Sequence, residues 1–293
     1  MRSRSMAHWF TGREVARKNM NNRFEWEGSA GDAWAAEWRR TDRSFGSLTE
    51  KLLARTREFR FLSVLDIGCG AGELSLAMAR ANSEAHVLGV DISARLVEAS
   101  RSRAANLANV RFEVGDASTW IPDESFAPDL LISRHGVMFF ADPVAAFAHL
   151  AAISAPGANL LFSCFRGPAE NEIFSAIGRL LPRPETPPDP EAPGPMAFAN
   201  PDRVRAILSA AGWSDVELEP YDFAMIAGAG EDPVEDALAY FSKIGPAANV
   251  LAESDEAARA DLLARMREVL EAKAVDGLVA LGAAAWIVTA RRA

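Results

Sequence analysis

Cysteine and histidine are scarce in this chain, which limits the metal and redox sites it can build. Only Cys69 and Cys164 are present among 293 residues, too few for a disulfide framework or a cysteine-rich metal cluster. The four histidines form no paired spacing with carboxylates that resembles a ligand set, so we expect no bound metal. Cysteine usage of this kind predicts a protein of the reducing cytoplasm.

Basic residues and long apolar runs are also in short supply. The chain has 31 Lys and Arg against 40 Asp and Glu, and its net charge of -9 opposes the tight binding to phosphate backbones that clustered cations provide. No run approaches the roughly 18 apolar residues of a membrane span, and the start MRSRSMAHWF lacks the apolar segment of a signal peptide. We therefore expect neither a nucleic acid nor a membrane as partner.

Alternating strand and helix patterns fill the centre of the chain. Strands are predicted at 64–68, 86–92, 110–115, 129–135 and 158–165, and helices at 73–81, 94–107 and 143–153. Strands separated by such helices form parallel units with right-handed crossovers. The sequence thus predicts an α/β fold with a doubly wound sheet, whose ligands lie at the carboxyl ends of the strands.

The flanking segments are predicted with less distinctive signals. Residues 13–60 look largely helical, and seven prolines in residues 182–195 predict an extended loop. Asn200 before Pro201 is a suitable cap for a helix over 201–211, which Gly212 ends. The remaining predictions are helices at 170–181, 232–244 and 253–273 and strands at 214–227 and 283–291.

The stretch VLDIGCGAG, residues 64–72, places three glycines where the first strand turns into a helix. Gly68, Gly70 and Gly72 remove Cβ atoms, so that a ligand can touch the backbone and its N–H groups. The dinucleotide fingerprint has its third glycine three residues after the second, whereas Gly72 follows Gly70 by two. Asp66, just before the loop, disfavours a pyrophosphate and suits a cationic ammonium or sulfonium. A nicotinamide dehydrogenase is therefore disfavoured.

Two further acids follow the next two strands. Asp91 ends the second strand about 20 residues beyond the loop, where a carboxylate can accept from both ribose hydroxyls. Asp116 follows the third strand and can accept from an exocyclic adenine amine, while the Ala117 N–H donates to the ring. Three acids at three neighbouring strand ends predict a site for a nucleoside with a positive tail.

These motifs together resemble the class I S-adenosylmethionine-dependent methyltransferases. The resemblance rests on VLDIGCGAGELSLAMA, VLGVDIS, VRFEVGDAS and DLLISRHGVMFFADPVAAF, in that order, and on WEGSAGDAW upstream, which is similar to a bacterial subgroup acting on small molecules. It implies a Rossmann-like sheet of seven mostly parallel strands with an antiparallel last strand. It also implies an N-terminal helical extension or lid over 1–60, a methyltransferase domain over 61–293 and a substrate-covering insert at 166–247.

The same resemblance implies a function and a set of contacts with S-adenosylmethionine, whose product is S-adenosylhomocysteine. We expect a methyl group to move to a small-molecule acceptor by in-line displacement. The implied cofactor-binding residues are Asp66, Gly68, Cys69, Gly70, Asp91, Ile92, Asp116, Ala117, Ser133 and Arg134, with Trp34 either in the core or in a lid over the cofactor. Asp66 would orient the methionine ammonium through water, Ile92 would pack on adenine, and the backbone of Ser133 and Arg134 would border the methionine part.

His135 is the candidate catalytic residue, because a free imidazole titrates near neutral pH and can take a proton from a hydroxyl or amine nucleophile. The alternative is a histidine that lines the wall of the site or contacts the substrate. Two other functions stay open at this stage: a non-catalytic protein that binds the cofactor, and an enzyme that uses the sulfonium for dehalogenation or decarboxylation. The oligomeric state also stays open, with a homodimer as one candidate.

Overall fold

Eight strands form one mixed sheet in the computed structural model, which describes residues 26–183 and 189–293. The strands are β1 (Ser63–Ile67), β2 (His86–Asp91), β3 (Val110–Val114), β4 (Leu130–Arg134), β5 (Asn159–Phe165), β6 (Trp213–Ala229), β7 (Ala274–Val275) and β8 (Leu278–Arg292). Residues 13–25 of the predicted helical flank and 184–188 of the proline-rich loop lie outside the described residues.

The strand order is β3-β2-β1-β4-β5-β8-β6, with the short β7 paired to β8. Neighbours from β3 to β5 are parallel, and β8 runs antiparallel to both β5 and β6. This confirms the predicted doubly wound sheet with an antiparallel last strand. The strand order reverses between β1 and β4, and crevices for ligands form at such a reversal.

Ten α-helices occur within the described ranges. They are α1 (Ser29–Ala36), α2 (Trp38–Ser44), α3 (Gly46–Thr56), α4 (Glu73–Ala81), α5 (Ala94–Arg103), α6 (Pro143–Ile153), α7 (Pro201–Ala210), α8 (Pro233–Phe241), α9 (Pro246–Glu253) and α10 (Glu256–Glu271). Asn200 caps α7 as predicted, since its side chain accepts from the Asp202 N–H at 3.0 Å.

Two predicted helices have a different form. The helix predicted over 253–273 corresponds to α10, which begins only at Glu256, where the Asp255 side chain caps it by accepting from the Ala258 N–H at 2.8 Å; α9, just before it, was not predicted. The segment 170–181 contains a π-helical turn at Ile173–Ile177 followed by a 3-10 turn at Gly178–Leu180. The Asn171 amide donates to the carbonyls of Arg166 and Gly167, which fixes the start of this irregular segment.

Apolar side chains of the central strands form the core that supports the site. In β1 every residue after Ser63 is buried, and the apolar residues of β4 are buried as well. Such uninterrupted runs are expected where helices cover both faces of a parallel sheet. Because the core holds these strands in register, their carboxyl ends present a fixed row of loops.

The predicted insert at 166–247 contains part of the sheet. Strand β6 lies inside this range and pairs with β8 along most of its length. The helices of the insert pack around that strand: α7 and α8 both contact β6, as does α2 from the N-terminal part of the chain. The domain boundaries predicted from the sequence stay predictions.

Candidate active site

The glycine loop leaves β1 and enters α4 through three left-handed backbone conformations. Gly68, Gly70 and Gly72 have φ values of 63°, 55° and 85°, which side chains other than glycine rarely adopt. A Cβ on Gly68 would lie 3.0 Å from the Cα of Gly136, so the loop passes directly against the segment after β4. A Cβ on Gly70 would meet no atom within 4 Å, so this point of the loop faces open space.

Asp91 attaches the end of β2 to this loop. One carboxylate oxygen accepts from the Gly70 N–H at 2.8 Å and the other from the Ser93 N–H at 2.9 Å. Its pKa is raised by burial, which these two backbone hydrogen bonds oppose. A carboxylate has about four lone-pair positions, so each oxygen retains capacity to accept one further hydrogen bond.

Asp66, at the end of β1, is buried beside the same loop. The Ser75 hydroxyl, in the first turns of α4, donates to its Oδ2 at 2.5 Å. Burial raises the pKa of Asp66 to about 7, and the negative charge of Asp91 adds to this, while Ser75 and Arg134 act in the opposite direction. A carboxyl group in this state gains charge readily when a cation arrives next to it.

Asp116 and Ala117 follow β3 at the same edge of the sheet. Oδ1 of Asp116 accepts from both the N–H of Ser118, at 3.0 Å, and its hydroxyl, at 2.6 Å, which fixes the carboxylate in the loop. Within the described residues no group donates to its Oδ2. Ala117 is buried, and Ile92, which follows β2, is half-buried. The structure thus brings the three predicted acids to the ends of three adjacent strands.

The end of β4 borders the loop from the other side. The Ser133 hydroxyl donates to the Ile67 carbonyl at 2.7 Å and accepts from the Gly136 N–H at 3.1 Å, which joins β4 to β1. Arg134 donates to the Thr49 hydroxyl at 2.8 Å and lies 3.5 Å from an oxygen of Asp42. The Ser133 side chain is therefore committed to the fold, and that of Arg134 contacts the N-terminal helices.

His135 has a left-handed backbone, with φ of 62°, and its ring stacks on Phe165 at 4.1 Å between centroids. Burial and the nearby Arg134 lower the pKa of His135 to about 3. The imidazole is therefore neutral at physiological pH and too weak a base to hold a proton there.

The thiol of Cys69, in the glycine loop, is unreactive. Burial, with Asp91 and Asp66 close by, raises the pKa of Cys69, so the thiol stays protonated. Its side chain packs with Leu76, Val97 and Phe112. Cys164 is also a free, buried thiol, and burial raises its pKa as well. Cys69 thus contributes its backbone and packing to the loop.

Helix α1 lies against the cap of α5, directly beside Asp91. A Cβ on Gly31 would fall 2.2 Å from the Trp26 carbonyl oxygen and 2.4 Å from the Ser93 hydroxyl, so only glycine permits this approach. The Trp26 ring contacts Trp34 at 5.8 Å and Phe139 at 5.0 Å between centroids. Trp34 is half-buried in this aromatic group, which connects α1 to the segment after β4.

A cluster of charges that sequence reasoning missed holds α2 to both sides of the loop. Arg103 donates to the Ala71 carbonyl at 2.7 Å, to Asp42 at 2.7 Å and to Glu73 at 2.8 Å. Its guanidinium also lies 3.9 Å from the centroid of the Trp38 ring. Burial raises the pKa of Asp42 to about 6, although Arg134 and Arg103 lower it. No local motif signals these partners, which are far apart in the chain.

Two kinds of feature are missing from the part of the chain that the structure describes. None of its helices combines the length and apolarity needed to cross a bilayer. No three of its histidine, cysteine, aspartate or glutamate side chains are grouped so that they could hold a metal ion.

Comparisons with known proteins concern mainly the centre of this chain. Residues 60–179 match the family model described as "Methyltransferase domain". Trans-aconitate 2-methyltransferase of Variovorax paradoxus is 29% identical over 161 residues, covering 54% of this chain and 56% of that protein. Malonyl-(acyl-carrier protein) O-methyltransferase of Brevibacillus brevis is 32% identical over 120 residues, covering 40% of this chain and 43% of that protein. The chain spans about half the length of these curated relatives.

Solved structures resemble this chain in fold over more of its length than the sequence matches do. Phosphoethanolamine N-methyltransferase 2 of Haemonchus contortus, solved with S-adenosyl-L-methionine, superposes with a TM-score of 0.54 at 18% identity, covering 92% of this chain and 59% of that one. The family match covers the glycine loop, the three acids and the end of β4 described above. Residues 60–179 are therefore similar to a methyltransferase domain, and the fold around them is shared with solved methyltransferases.

Proposed function

We propose that this protein is an enzyme that binds S-adenosylmethionine and transfers its methyl group to a small-molecule acceptor. The observation that carries the proposal is the pairing of Asp91 with Gly70. A carboxylate with accepting capacity on both oxygens is fixed beside a bare, open stretch of backbone. This combination fits a ribose with two hydroxyls next to a chain that passes close to the loop.

The remaining predicted contacts fit the same ligand. Oδ2 of Asp116 accepts from no described residue and suits the adenine amine, with the Ala117 N–H toward the ring and Ile92 against its face. Asp66, whose pKa lies near 7, suits the methionine ammonium through a water. The backbone at Gly68, Cys69, Ser133 and Arg134 would line the methionine part, and Trp34 would belong to the cover.

When bound, S-adenosylmethionine supplies a methyl group on a positive sulfur. In the displacement the methyl carbon bonds to the acceptor, which loses its proton, while the C–S bond breaks and its electron pair stays on the sulfur. This chain's residues align the acceptor and exclude water. Helices α1 and α2 supply that cover, because they are fixed beside Asp91 and beside the loop by Gly31 and Arg103.

A small molecule is the proposed acceptor, because the named relatives include methyltransferases for trans-aconitate and for a malonyl group on a carrier protein. We propose the cytoplasm as the compartment, since the thiols of Cys69 and Cys164 are both free.

The test is calorimetric titration of the purified protein with S-adenosylmethionine and with S-adenosylhomocysteine, followed by mass spectrometry of an acceptor panel. We expect saturable binding of both ligands and an acceptor product heavier by one methylene. Absence of binding would refute the proposal. Binding without release of S-adenosylhomocysteine from any acceptor would reduce the protein to a cofactor-binding one, and a titration with NAD serves as the control.

A further inference from the structure

Five aromatic rings from five separate segments meet beyond the end of β4, in what we call the aromatic box: His135 with Phe45, Phe165, Phe174 and Phe223. The His135 ring stacks on Phe165 and meets Phe45 edge-on at 5.4 Å between centroids. Phe165 meets Phe174 edge-on at 5.6 Å, and Phe45 lies 6.3 Å from Phe223.

The aromatic box adjoins the glycine loop. Gly136, which follows His135, lies so close to Gly68 that a Cβ on Gly68 would reach 3.0 Å from its Cα. The box is therefore one residue away from the backbone proposed to line the methionine part of the cofactor. An acceptor that presents an atom to the methyl group has to lie on this side of the loop.

One polar atom of the box has no partner. The Nε2 of His135 is buried and forms no hydrogen bond with any described residue. On the other side of the ring, Nδ1 lies 3.3 Å from the Ser163 hydroxyl. We assign the ring proton to Nδ1, which donates it to this hydroxyl oxygen. Nε2 then carries a lone pair that accepts nothing.

Packing alone does not account for a histidine here. An unpaired buried polar atom destabilises the fold, and so does a left-handed backbone at a residue other than glycine. A phenylalanine would fill the same aromatic surroundings without leaving a buried nitrogen unpaired. Residues that retain such unfavourable features are found where a ligand supplies the missing partner.

We propose that His135 selects the methyl acceptor, by accepting through Nε2 a hydrogen bond from the hydroxyl of a planar aromatic molecule bound in the aromatic box. This inference rests on the proposed function and adds the acceptor class, a phenol. His135 then positions the hydroxyl oxygen, and the proton of this hydrogen bond passes to Nε2 as the methyl carbon bonds to the oxygen. Because burial keeps the pKa of His135 low, the imidazole afterwards releases that proton to solvent. The aromatic rings that surround His135 favour a flat apolar body around that one polar contact.

The experiment uses the full chain saturated with S-adenosylhomocysteine and three probes: 2-naphthol, its methyl ether 2-methoxynaphthalene, and 2-naphthoate. Binding is followed by tryptophan fluorescence. We expect 2-naphthol to bind about 3- to 10-fold more tightly than the ether, the value of one hydrogen bond. His135→Phe should abolish this difference, and His135→Asn, whose side chain tolerates a positive φ, should do the same.

Two controls separate the possible failures. His149→Phe changes a histidine whose Nε2 lies 2.7 Å from the Trp120 carbonyl, and it should retain the preference for 2-naphthol. Titration of every variant with S-adenosylhomocysteine shows that it is folded and that the cofactor proposal holds. Three results obtained while S-adenosylhomocysteine still binds would overturn the inference. They are a wild type that binds 2-naphthol and its ether equally, a wild type that binds none of the three naphthalenes, and a preference for 2-naphthoate that depends on His135.

Discussion

The carboxylate of Asp91 accepts a hydrogen bond from the backbone N–H of Gly70 at 2.8 Å, so the acid at the end of β2 determines where the glycine loop after β1 can lie. The two residues are 21 positions apart in sequence: Asp91 ends β2, and Gly70 lies in the loop that follows the neighbouring parallel strand β1. One side chain therefore acts on both the shape of the loop and the proposed ribose contact. Several expected outcomes depend on this and similar links between segments.

Replacing Asp91 by Asn should weaken binding of S-adenosylhomocysteine by roughly 10- to 100-fold, because hydrogen bonds to a charged group contribute about 1.5–3 kcal/mol. Isothermal titration calorimetry measures the change. Asp129→Asn is the matched control, since this carboxylate also accepts from backbone N–H groups, those of Leu62 and Ser63, at the opposite end of β1. Affinity within twofold of the wild type is expected for the control, and equal losses in both variants would refute the ribose assignment.

Stability should fall as pH rises toward neutrality, because Asp66 is buried in its ionised form above its pKa. The pKa of Asp66 is about 7 in the folded protein against 3.8 for an ordinary aspartate, so between these values the folded state binds more protons than the unfolded state. The free energy of unfolding then decreases by up to about 4 kcal/mol from pH 4 to pH 7 and changes no further above. The free energy of unfolding, measured in urea as a function of pH, should decrease in this way for the wild type relative to Asp66→Asn. A difference between the two proteins that does not change with pH would contradict the prediction.

Ligand binding should release protons near pH 6. A cationic ammonium near Asp66 favours its ionised form, so the group loses its proton when S-adenosylhomocysteine binds. The calorimetric binding enthalpy at pH 6 should therefore vary with the ionisation enthalpy of the buffer, and affinity should increase toward pH 8. In Asp66→Asn both effects should disappear. A wild-type enthalpy that is the same in all buffers would mean that no cation approaches Asp66.

Gly31→Ala should destabilise the protein by about 1–3 kcal/mol and weaken the ligand, because the new methyl group overlaps the Trp26 carbonyl and the Ser93 hydroxyl and pushes α1 away from Asp91. Gly46→Ala is the control within α3: its Cβ would meet no atom within 4 Å, and we expect an unchanged or slightly higher melting temperature. Thermal unfolding with and without S-adenosylhomocysteine gives both quantities. Equal behaviour of the two variants would refute the close contact of α1.

Arg103→Gln should destabilise the fold by about 2–4 kcal/mol, since it leaves Asp42 and Glu73 with one cation fewer and the Ala71 carbonyl without its donor. Arg95→Gln is a matched change on the same helix. Its exposed side chain pairs with Glu98 and Asp32, and pairs of this kind contribute less than about 1 kcal/mol. Chemical denaturation compares the two. Similar losses would show that the buried cluster does not hold α2 to the loop.

Local sequence signals sufficed where a segment's structure depends on its own residues. The positive φ values of Gly68, Gly70 and Gly72 follow from the absence of side chains, and the cap of α7 follows from Asn200 before Pro201. Helix α9 was not predicted, and the helix predicted at 253–273 begins only at Glu256, where the Asp255 side chain caps α10. The irregular helical turns after β5 were missed as well, because their geometry depends on hydrogen bonds of Asn171.

The residues that contact the site residues were harder to predict from the sequence. The sequence analysis did not identify Ser75 as the partner of Asp66, although the two are nine positions apart and the glycine loop turns the chain back over β1. Only the structure explains the second glycine of WEGSAGDAW, Gly31, which packs directly against Ser93. His135 shows the greatest change of interpretation, because burial and Arg134 lower its pKa below the range of a useful base.

The sequence by itself determined the strand and helix order, the glycine loop and the three acids at successive strand ends, because these depend on local spacing and on the fixed direction of parallel strands. Only the tertiary structure decided which charges meet Arg103, what faces His135 and how closely α1 approaches Asp91. Those features depend on contacts between segments far apart in the chain, and burial in those contacts is what shifts the pKa of Asp66, Asp42 and His135.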